Sequence, residues 1–231
     1  MSSTIGNILM DKLPAEIRDR VMASATFLDL PIRTSLFRSQ EIPEYLYFLT
    51  GGLTSAVVAM NDGGSAEVGM CGKEGIVGAS ALLGPALMQV ECFMQIAGMG
   101  YRMPLAAARN CFEAVPEFRR IVLSYVQEQM VIASQTGACN KLHDAQSRLA
   151  RWILMVADRI ESETLGLTQE FLAEMLGTQR STVVLVAGQL QDKGAIQYRR
   201  GVVKILDRSL LTSLACECYA VTKRSLDNLH R

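Results

Sequence analysis

Residues 167–196, LTQEFLAEMLGTQRSTVVLVAGQLQDKGAI, constrain this chain more than any other stretch. Thr168 can cap a helix, and Phe171, Leu172, Met175 and Leu176 follow it at helical spacing. Gly177 breaks the pattern. After Gln179 a second periodic run begins, with Val183, Val186, Ala187 and Leu190 on one side. Two short amphipathic helices joined by a tight turn containing glycine predict a helix-turn-helix, whose second helix can enter a DNA major groove. Residues 195–206 (AIQYRRGVVKIL) follow at once and read as two short strands folded back around Arg200-Gly201, which makes a wing. The wing accounts for Tyr198, Arg199, Arg200 and Lys204 standing directly after the second helix, where backbone phosphates run if that helix lies in the groove. On the residues alone, two plain core helices meeting at a glycine remain the alternative.

The rest of the chain sets bounds on this reading. A length of 231 residues suits one large domain or two smaller ones. With 49% hydrophobic and 20% charged residues, the composition is globular and not disordered. No apolar run has transmembrane length, and residues 1–14 show no basic segment followed by a signal-like apolar core, so a cytoplasmic protein without membrane contact is expected. The formal net charge is zero, but it is unevenly divided. Residues 141–231 hold 13 Lys+Arg and 10 Asp+Glu, and residues 1–140 hold 10 and 13. A DNA-reading module needs a local positive patch, not a basic whole.

Cysteines stand at 71, 92, 111, 139, 216 and 218. Only Cys216 and Cys218 are close in sequence, and two ligands do not close a metal site. The expectation is free, mostly buried thiols and no metal, with an iron–sulfur or redox-sensing role as the alternative. His143 and His230, the two histidines, stand in no arrangement that predicts a ligand or a catalyst.

Residues 4–24 read as one or two short helices, with Pro14 at a first helical position. From Phe27 to about Met103, short apolar runs (45–52, 53–60, 65–70, 89–98, 101–104) alternate with glycines and with Asn61-Asp62-Gly63-Gly64, the pattern of an antiparallel sandwich or roll. Gly69, Gly72, Gly75 and Gly78 fall every third residue and imply tight turns and close backbone approach. Residues 105–112 suggest a short helix. Pro116 opens a much longer one, whose apolar side includes Ile121, Val122, Tyr125, Val126, Gln129 and Ile132. A helix of this length suggests a homodimer seam; the alternative packs it wholly on its own roll. Residues 144–160 form a further helix, burying Leu149, Trp152, Ile153 and Val156. The expected fold is therefore α+β: an N-terminal antiparallel, jelly-roll-like β-roll over 1–115, a dimerisation helix over 116–140, and a winged helix-turn-helix over 141–231.

This order of parts resembles the Crp/Fnr family of bacterial transcription regulators over nearly the whole chain. The most specific parts are residues 33–52 (RTSLFRSQEIPEYLYFLTGG), similar to the first half of the family's cyclic-nucleotide-binding-type roll, and the helix-turn-helix at 168–193. The resemblance implies a homodimer on a palindromic promoter site of double-stranded DNA, with regulation through RNA polymerase. It places Gln179, Arg180, Ser181 and Val184 or Leu185 on the exposed start and middle of the recognition helix. Arg180 matches the family arginine that reads guanine, in keeping with a forked guanidinium facing O6 and N7. Ser181 stands where the best-known members have glutamate, and Leu185 where many have a polar or basic side chain. Ser181 and Thr182 are phosphate-contact candidates, and Thr168, Arg199, Arg200 and Lys204 complete the DNA-facing set.

Nucleotide-binding members neutralise the cyclic phosphate with an arginine in the roll, yet no arginine occurs between Lys73 and Arg102 here. A buried phosphate without a cationic partner is costly. An effector pocket near Lys73, Glu74, Gly78 and Gln89 would thus serve some small molecule other than cyclic AMP, of unknown identity. No cysteine precedes Cys71 and no histidine occurs in residues 1–140, so neither the family's iron–sulfur cluster nor its haem carries over, and no cofactor is expected. Two other classes stay in view. A β-roll enzyme would draw ligands from Glu41, Glu44, Asp62, Glu67, Glu74 and Glu91. A ligand-regulated interaction protein would have lost promoter recognition, with carboxylates covering the basic surface.

Overall fold

The computed structural model describes residues 4–61, 64–84 and 87–230 of the chain. Asp62 and Gly63 of the expected turn lie outside the described residues, as does the side chain of His230. The chain divides into two compact units: residues up to 58, 69–130 and from 226 onward, and residues 59–68 with 131–225. The division passes through the long helix, between Met130 and Val131.

The first unit opens with two short helices, α1 (Ile8–Asp11) and α2 (Ala15–Met22), with Pro14 standing just before the second. Asn7 holds this entrance. Its Oδ1 accepts from the Met10 amide at 3.1 Å, and its fully buried Nδ2 donates to the carbonyls of Leu49 and Gly75, each at 3.0 Å. A buried side-chain amide satisfied on both ends anchors a segment that has too few residues to be stable alone.

The roll consists of β1 (Thr26–Leu30), β2 (Ser35–Phe37), β3 (Tyr45–Ala59), β4 (Ser65–Cys71) and β5 (Glu91–Pro104). The sheet order is β1-β5-β3-β4, with β2 also on β5. β1 and β3 both run antiparallel to β5 and flank it on opposite edges. The sequence pattern suggests separate strands over 45–52 and 53–60, and again over 89–98 and 101–104. Each pair is instead one continuous strand. The glycines between them are bends inside a ladder: the β3–β5 register shifts at Gly51 and Leu53, and Gly52 takes φ +83°. A Cβ on Gly98 would lie 2.0 Å from the Gly51 carbonyl oxygen, so the two backbones approach as only glycines permit.

α3 (Leu105–Ala114) and α4 (Pro116–Leu142) follow. The roll's core joins Leu46, Phe48, Met94 and Met103 of the sheet to Phe118, Val122 and Tyr125 of α4. Phe48 and Phe118 meet with ring centroids 6.5 Å apart, and the Tyr125 hydroxyl donates to Cys71 Sγ at 3.3 Å.

In the second unit, α5 (Ala145–Ile160) begins where Asp144 accepts from the Ser147 amide at 3.0 Å, and every residue from 149 to 157 is buried. Around it stand β6 (Thr164–Gly166), α6 (Gln169–Leu176), α7 (Arg180–Asp192), β7 (Ile196–Arg199), β8 (Val202–Ile205), α8 (Arg208–Leu214) and α9, which starts at Cys218. The expected two-stranded wing is β7 and β8, turning at Arg200 (φ 52°) and Gly201 (φ 74°). Positive φ at both central residues suits the twist of a hairpin. The three-residue β6 joins β8 on its other side. It is too short to carry a periodic signal and is not legible in the sequence.

Replacing Gly98 by Ala should destabilise the chain by about 1–3 kcal/mol or more, because the added methyl meets main chain and not a movable side chain. A denaturant midpoint equal to that of the wild type would show that the strands can separate without cost.

Candidate nucleic-acid interface

The helix-turn-helix is built from local rules. Thr168 Oγ1 accepts from the Phe171 amide at 3.2 Å and so caps α6. Gly177, at φ +57°, ends the helix in a left-handed turn, and the Thr178 amide returns to the Ala173 carbonyl at 3.0 Å. α7 then begins at Arg180. Val183, Val186, Ala187 and Leu190 are buried, as the periodicity predicts. The opposite face presents Arg180, Ser181, Val184 and Leu185 to solvent, with Leu185 62% exposed; Gln179, just ahead of the helix, is exposed too. Two branched apolar side chains left in water on the outer face have no packing role within the chain.

Arg180 has close neighbours. Its Nη1 lies 2.6 Å from Glu170 Oε1, and Gln169 Oε1 accepts from Nε and Nη2 at 3.4 Å. Arg180, Glu170, Gln169 and Thr168 line a hollow of about 360 Å³ together with Tyr198, Arg200 and Gly201. The first turn of α7 and the tip of the wing thus form one concave surface. The Tyr198 hydroxyl donates to the Leu167 carbonyl at 2.8 Å, and burial, aided by the charge of Glu170, pushes its pKa up to about 12. It therefore stays a neutral donor that fixes the wing. Alternation along the strands separates the basic residues. Arg200 lines the hollow, whereas Arg199 and Lys204 are exposed on the wing face opposite Tyr198 and Val203. Glu170 and Gln169 carry no signal in the sequence pattern; their contact with Arg180 arises only once α6 and α7 are packed.

The roll contains a cavity of about 190 Å³ with a largely apolar lining that includes Phe37, Met70, Ile76, Val90 and Tyr125. Of the pocket residues expected from sequence, only Gly78 borders it. Lys73 is placed where its carbonyl accepts from the Ile8 amide at 2.8 Å. Glu74 is buried and accepts from the Gly72 amide at 3.0 Å, and Gln89 meets Gln40 at the surface, 2.9 Å away. None of these three residues lines the cavity.

On α4 the expected seam residues point inward. Val122 and Tyr125 are buried in the roll's core, Ile121 and Val126 pack against it, Gln129 borders the cavity, and Ile132 is buried. The apolar residues α4 leaves exposed are Leu123, Met130 and Val131. Seven residues separate Leu123 from Met130, so these two share a side of the helix. The roll claims the broader apolar face, and periodicity cannot tell which of two faces a partner would use.

The cysteines are free and five of the six are buried, as expected, but folding groups four ligand-bearing residues that spacing keeps apart. Sequence spacing leaves Cys216 and Cys218 as an isolated pair and His143 without a cysteine neighbour. Folding brings Cys139, His143, Cys216 and Cys218 together, with one ligand atom of each lying within 4.8 Å of the others. All four are in the second unit. Cys139 and Cys216, with sulfurs 3.5 Å apart, share a hydrogen bond that raises the pKa of the Cys139 thiol and lowers that of Cys216.

Residues 147–214, which contain α5, the two helices of the turn and the wing, match the family model of the Crp-like helix-turn-helix domain. The chain carries a Crp-like helix-turn-helix. No curated protein sequence matches it. Solved structures extend the likeness to both units. FixK2 from Bradyrhizobium japonicum aligns with a TM-score of 0.71 at 15% identity, over 83% of this chain and 98% of that one. The c-di-GMP-responsive global regulator CLP of Xanthomonas campestris aligns at 0.70 with 19% identity, over 83% and 99%. A Crp/Fnr-family transcriptional regulator from Thermus thermophilus aligns at 0.69 with 19% identity, over 82% and 98%. The α+β fold of roll, long helix and winged helix-turn-helix is that of the Crp/Fnr regulators. Among the described residues, no helix is long and apolar enough to cross a membrane.

The two ends of the hollow should respond differently to mutation. Thr168→Ala removes a helix cap and should cost about 1 kcal/mol of stability. Glu170→Gln breaks an ion pair between two exposed side chains and should cost less than about 1 kcal/mol. Urea melts of both variants measure this, and a larger loss in Glu170→Gln would make the pair a structural one.

Proposed function

We propose that this chain is a transcription regulator that binds a palindromic site on double-stranded DNA as a homodimer, with α7 in the major groove. The observation that carries this reading is the pairing, on one concave surface of a Crp-like helix-turn-helix, of Arg180 at the start of α7 with Arg200 at the wing tip. Arg180 donates two hydrogen bonds to guanine O6 and N7. Val184 and Leu185 supply apolar contact to thymine methyls, which explains their exposure on an otherwise packed helix. Ser181, Thr182, Thr168 and Gln179 lie at the helix ends, suited to phosphate contacts, and Arg200 reaches the backbone from the wing. Arg199 and Lys204, on the other wing face, add to the local positive field.

Glu170 holds Arg180 in the free protein. Both groups are exposed, so the pair is weak and DNA displaces it. A single carboxylate beside the guanidinium does not cover the basic surface as an interaction protein without promoter recognition would require.

A homodimer forms along α4 through Leu123, Met130 and Val131, and regulation follows from contact with RNA polymerase or its exclusion. The effector of the roll is a small, uncharged and largely apolar molecule. Residues around the cavity include no basic side chain, and its volume is below that of common ligand pockets, roughly 300–1,000 Å³. A cyclic nucleotide or a dinucleotide such as that sensed by the Xanthomonas regulator lacks a cationic partner there.

Selection of random duplexes by the purified chain should recover an inverted repeat. Arg180→Ala should weaken binding to the selected duplex by about 1–3 kcal/mol and leave scrambled DNA nearly unaffected, as read by fluorescence anisotropy. Equal losses on both duplexes would remove Arg180 from base recognition. Met130→Glu should shift the particle toward monomer in sedimentation velocity, and a variant that stays dimeric places the seam elsewhere.

A further inference from the structure

The matched module, residues 147–214, is flanked by the two halves of a side-chain cluster that DNA recognition does not use. Cys139 and His143 stand one turn apart at the end of α4, where the His143 amide closes the last turn on the Cys139 carbonyl at 3.1 Å. Cys216 and Cys218 lie between α8 and the start of α9. Three sulfurs and an imidazole from these distant stretches converge within 4.8 Å. Cys139 Sγ is 3.5 Å from Cys216 Sγ, and Cys218 Sγ is 3.5 Å from His143 Nδ1.

Tetrahedral coordination calls for spacings close to these two distances. With Zn–S of about 2.3 Å and Zn–N of about 2.0–2.1 Å, sulfurs stand about 3.8 Å apart and sulfur and nitrogen about 3.5 Å apart. A multinuclear iron–sulfur cluster spreads its ligands over different irons and holds them farther apart. Ordinary packing of thiols accounts for burial, but not for the polar groups around this cluster. Glu217 Oε1 lies 3.2 Å from His143 Nε2, which fixes the proton there and leaves Nδ1 free to ligate. Gln135 Nε2 donates to Cys218 Sγ at 3.0 Å. Arg151, only 5% exposed, has no hydrogen-bond partner for Nε or Nη1 among the described residues, and its charge acts on both Cys139 and Cys216. Three thiolates, one neutral imidazole and a divalent cation sum to one negative charge. A buried guanidinium compensates it.

We propose that Cys139, His143, Cys216 and Cys218 form a closed Cys₃His site for one Zn²⁺ ion, which staples the end of α4 to the α8–α9 connection. Binding releases three thiol protons and forms three Zn–S bonds and one Zn–N bond, with no change of oxidation state. Four protein ligands leave no open position for a substrate, so the ion acts as a structural tie and not as a catalyst. Its affinity falls at low pH, where protons compete for the thiolates.

The test uses the full chain, purified under reducing conditions and handled without oxygen. Elemental analysis should find one zinc per chain. Titration of the zinc-free protein with Co²⁺ should give the intense visible bands of tetrahedral cobalt and the near-ultraviolet charge-transfer bands of thiolate ligation, both bleached by added Zn²⁺. Cys218→Ser should reduce the thiolate bands, and Cys111→Ser, on α3, should leave them unchanged. Glu217→Gln keeps all four ligands and should lower Zn²⁺ affinity by about 10–100-fold in a competition titration. That variant, with the wild-type cobalt spectrum, decides the matter even if ligand variants do not fold. Failure of the wild-type chain to give a tetrahedral thiolate spectrum would overturn the site, as would undiminished binding in a Cys216→Ser, Cys218→Ser double variant. Iron with acid-labile sulfide in place of zinc would overturn the choice of metal. None of these readings involves DNA, so they stand or fall apart from promoter recognition.

Discussion

Burial of α5 on every side is the constraint on which the second unit depends. From Leu149 to Ala157 the helix has no solvent face, so it must be wrapped by other elements, and α6, α7, α8 and the wing sheet supply the wrapping. An apolar helix can be enclosed without further provision, but this one carries Arg151 and Trp152 inside. The Trp152 indole donates to Glu67 Oε1 at 2.7 Å, a carboxylate brought in by residues 59–68. Arg151 faces the cysteine cluster electrostatically. Satisfying the Trp152 indole on a buried helix thus recruits a chain segment distant in sequence.

The surface of the helix-turn-helix around Arg180 and Arg200 is arranged with much less burial. Val183, Val186, Ala187 and Leu190 lock α7 to the unit, leaving its outer face without a packing partner in the unit. Arg180 is held by Glu170 and Gln169 through contacts between exposed side chains, which water already weakens. The roll follows a different economy. Its cavity is walled chiefly by apolar side chains, while the charged residues nearby serve backbone turns, as Glu74 does at Gly72. A phosphate would lack a cationic partner among the residues that line this cavity.

Legibility in the sequence followed the range of the interaction. Helix caps and turns are set by neighbours, so Thr168, Gly177 and the Arg200-Gly201 hairpin could be read directly. Strand lengths in the roll could not. Gly51-Gly52 and Gly98 resemble turn signals locally, but they permit two strands to cross closely, a condition set by a partner some forty residues away. The face of α4 was ambiguous for a related reason. Its apolar residues exceed what one contact needs, and the roll takes Val122 and Tyr125, leaving Leu123 and Met130 outside.

The sequence by itself determined the parts: a recognition helix headed by Arg180, a basic wing, a long helix, and a roll with no arginine between Lys73 and Arg102. Those follow from periodicity and local chemistry, which need no knowledge of what folds against what. Only the tertiary structure decided that Glu170 meets Arg180, that Lys73 and Gln89 stand away from the cavity, and that Cys139 and His143 meet Cys216 and Cys218. The first two depend on how neighbouring elements pack, and for the cysteine cluster spacing along the chain holds no record of a contact between residues more than seventy positions apart.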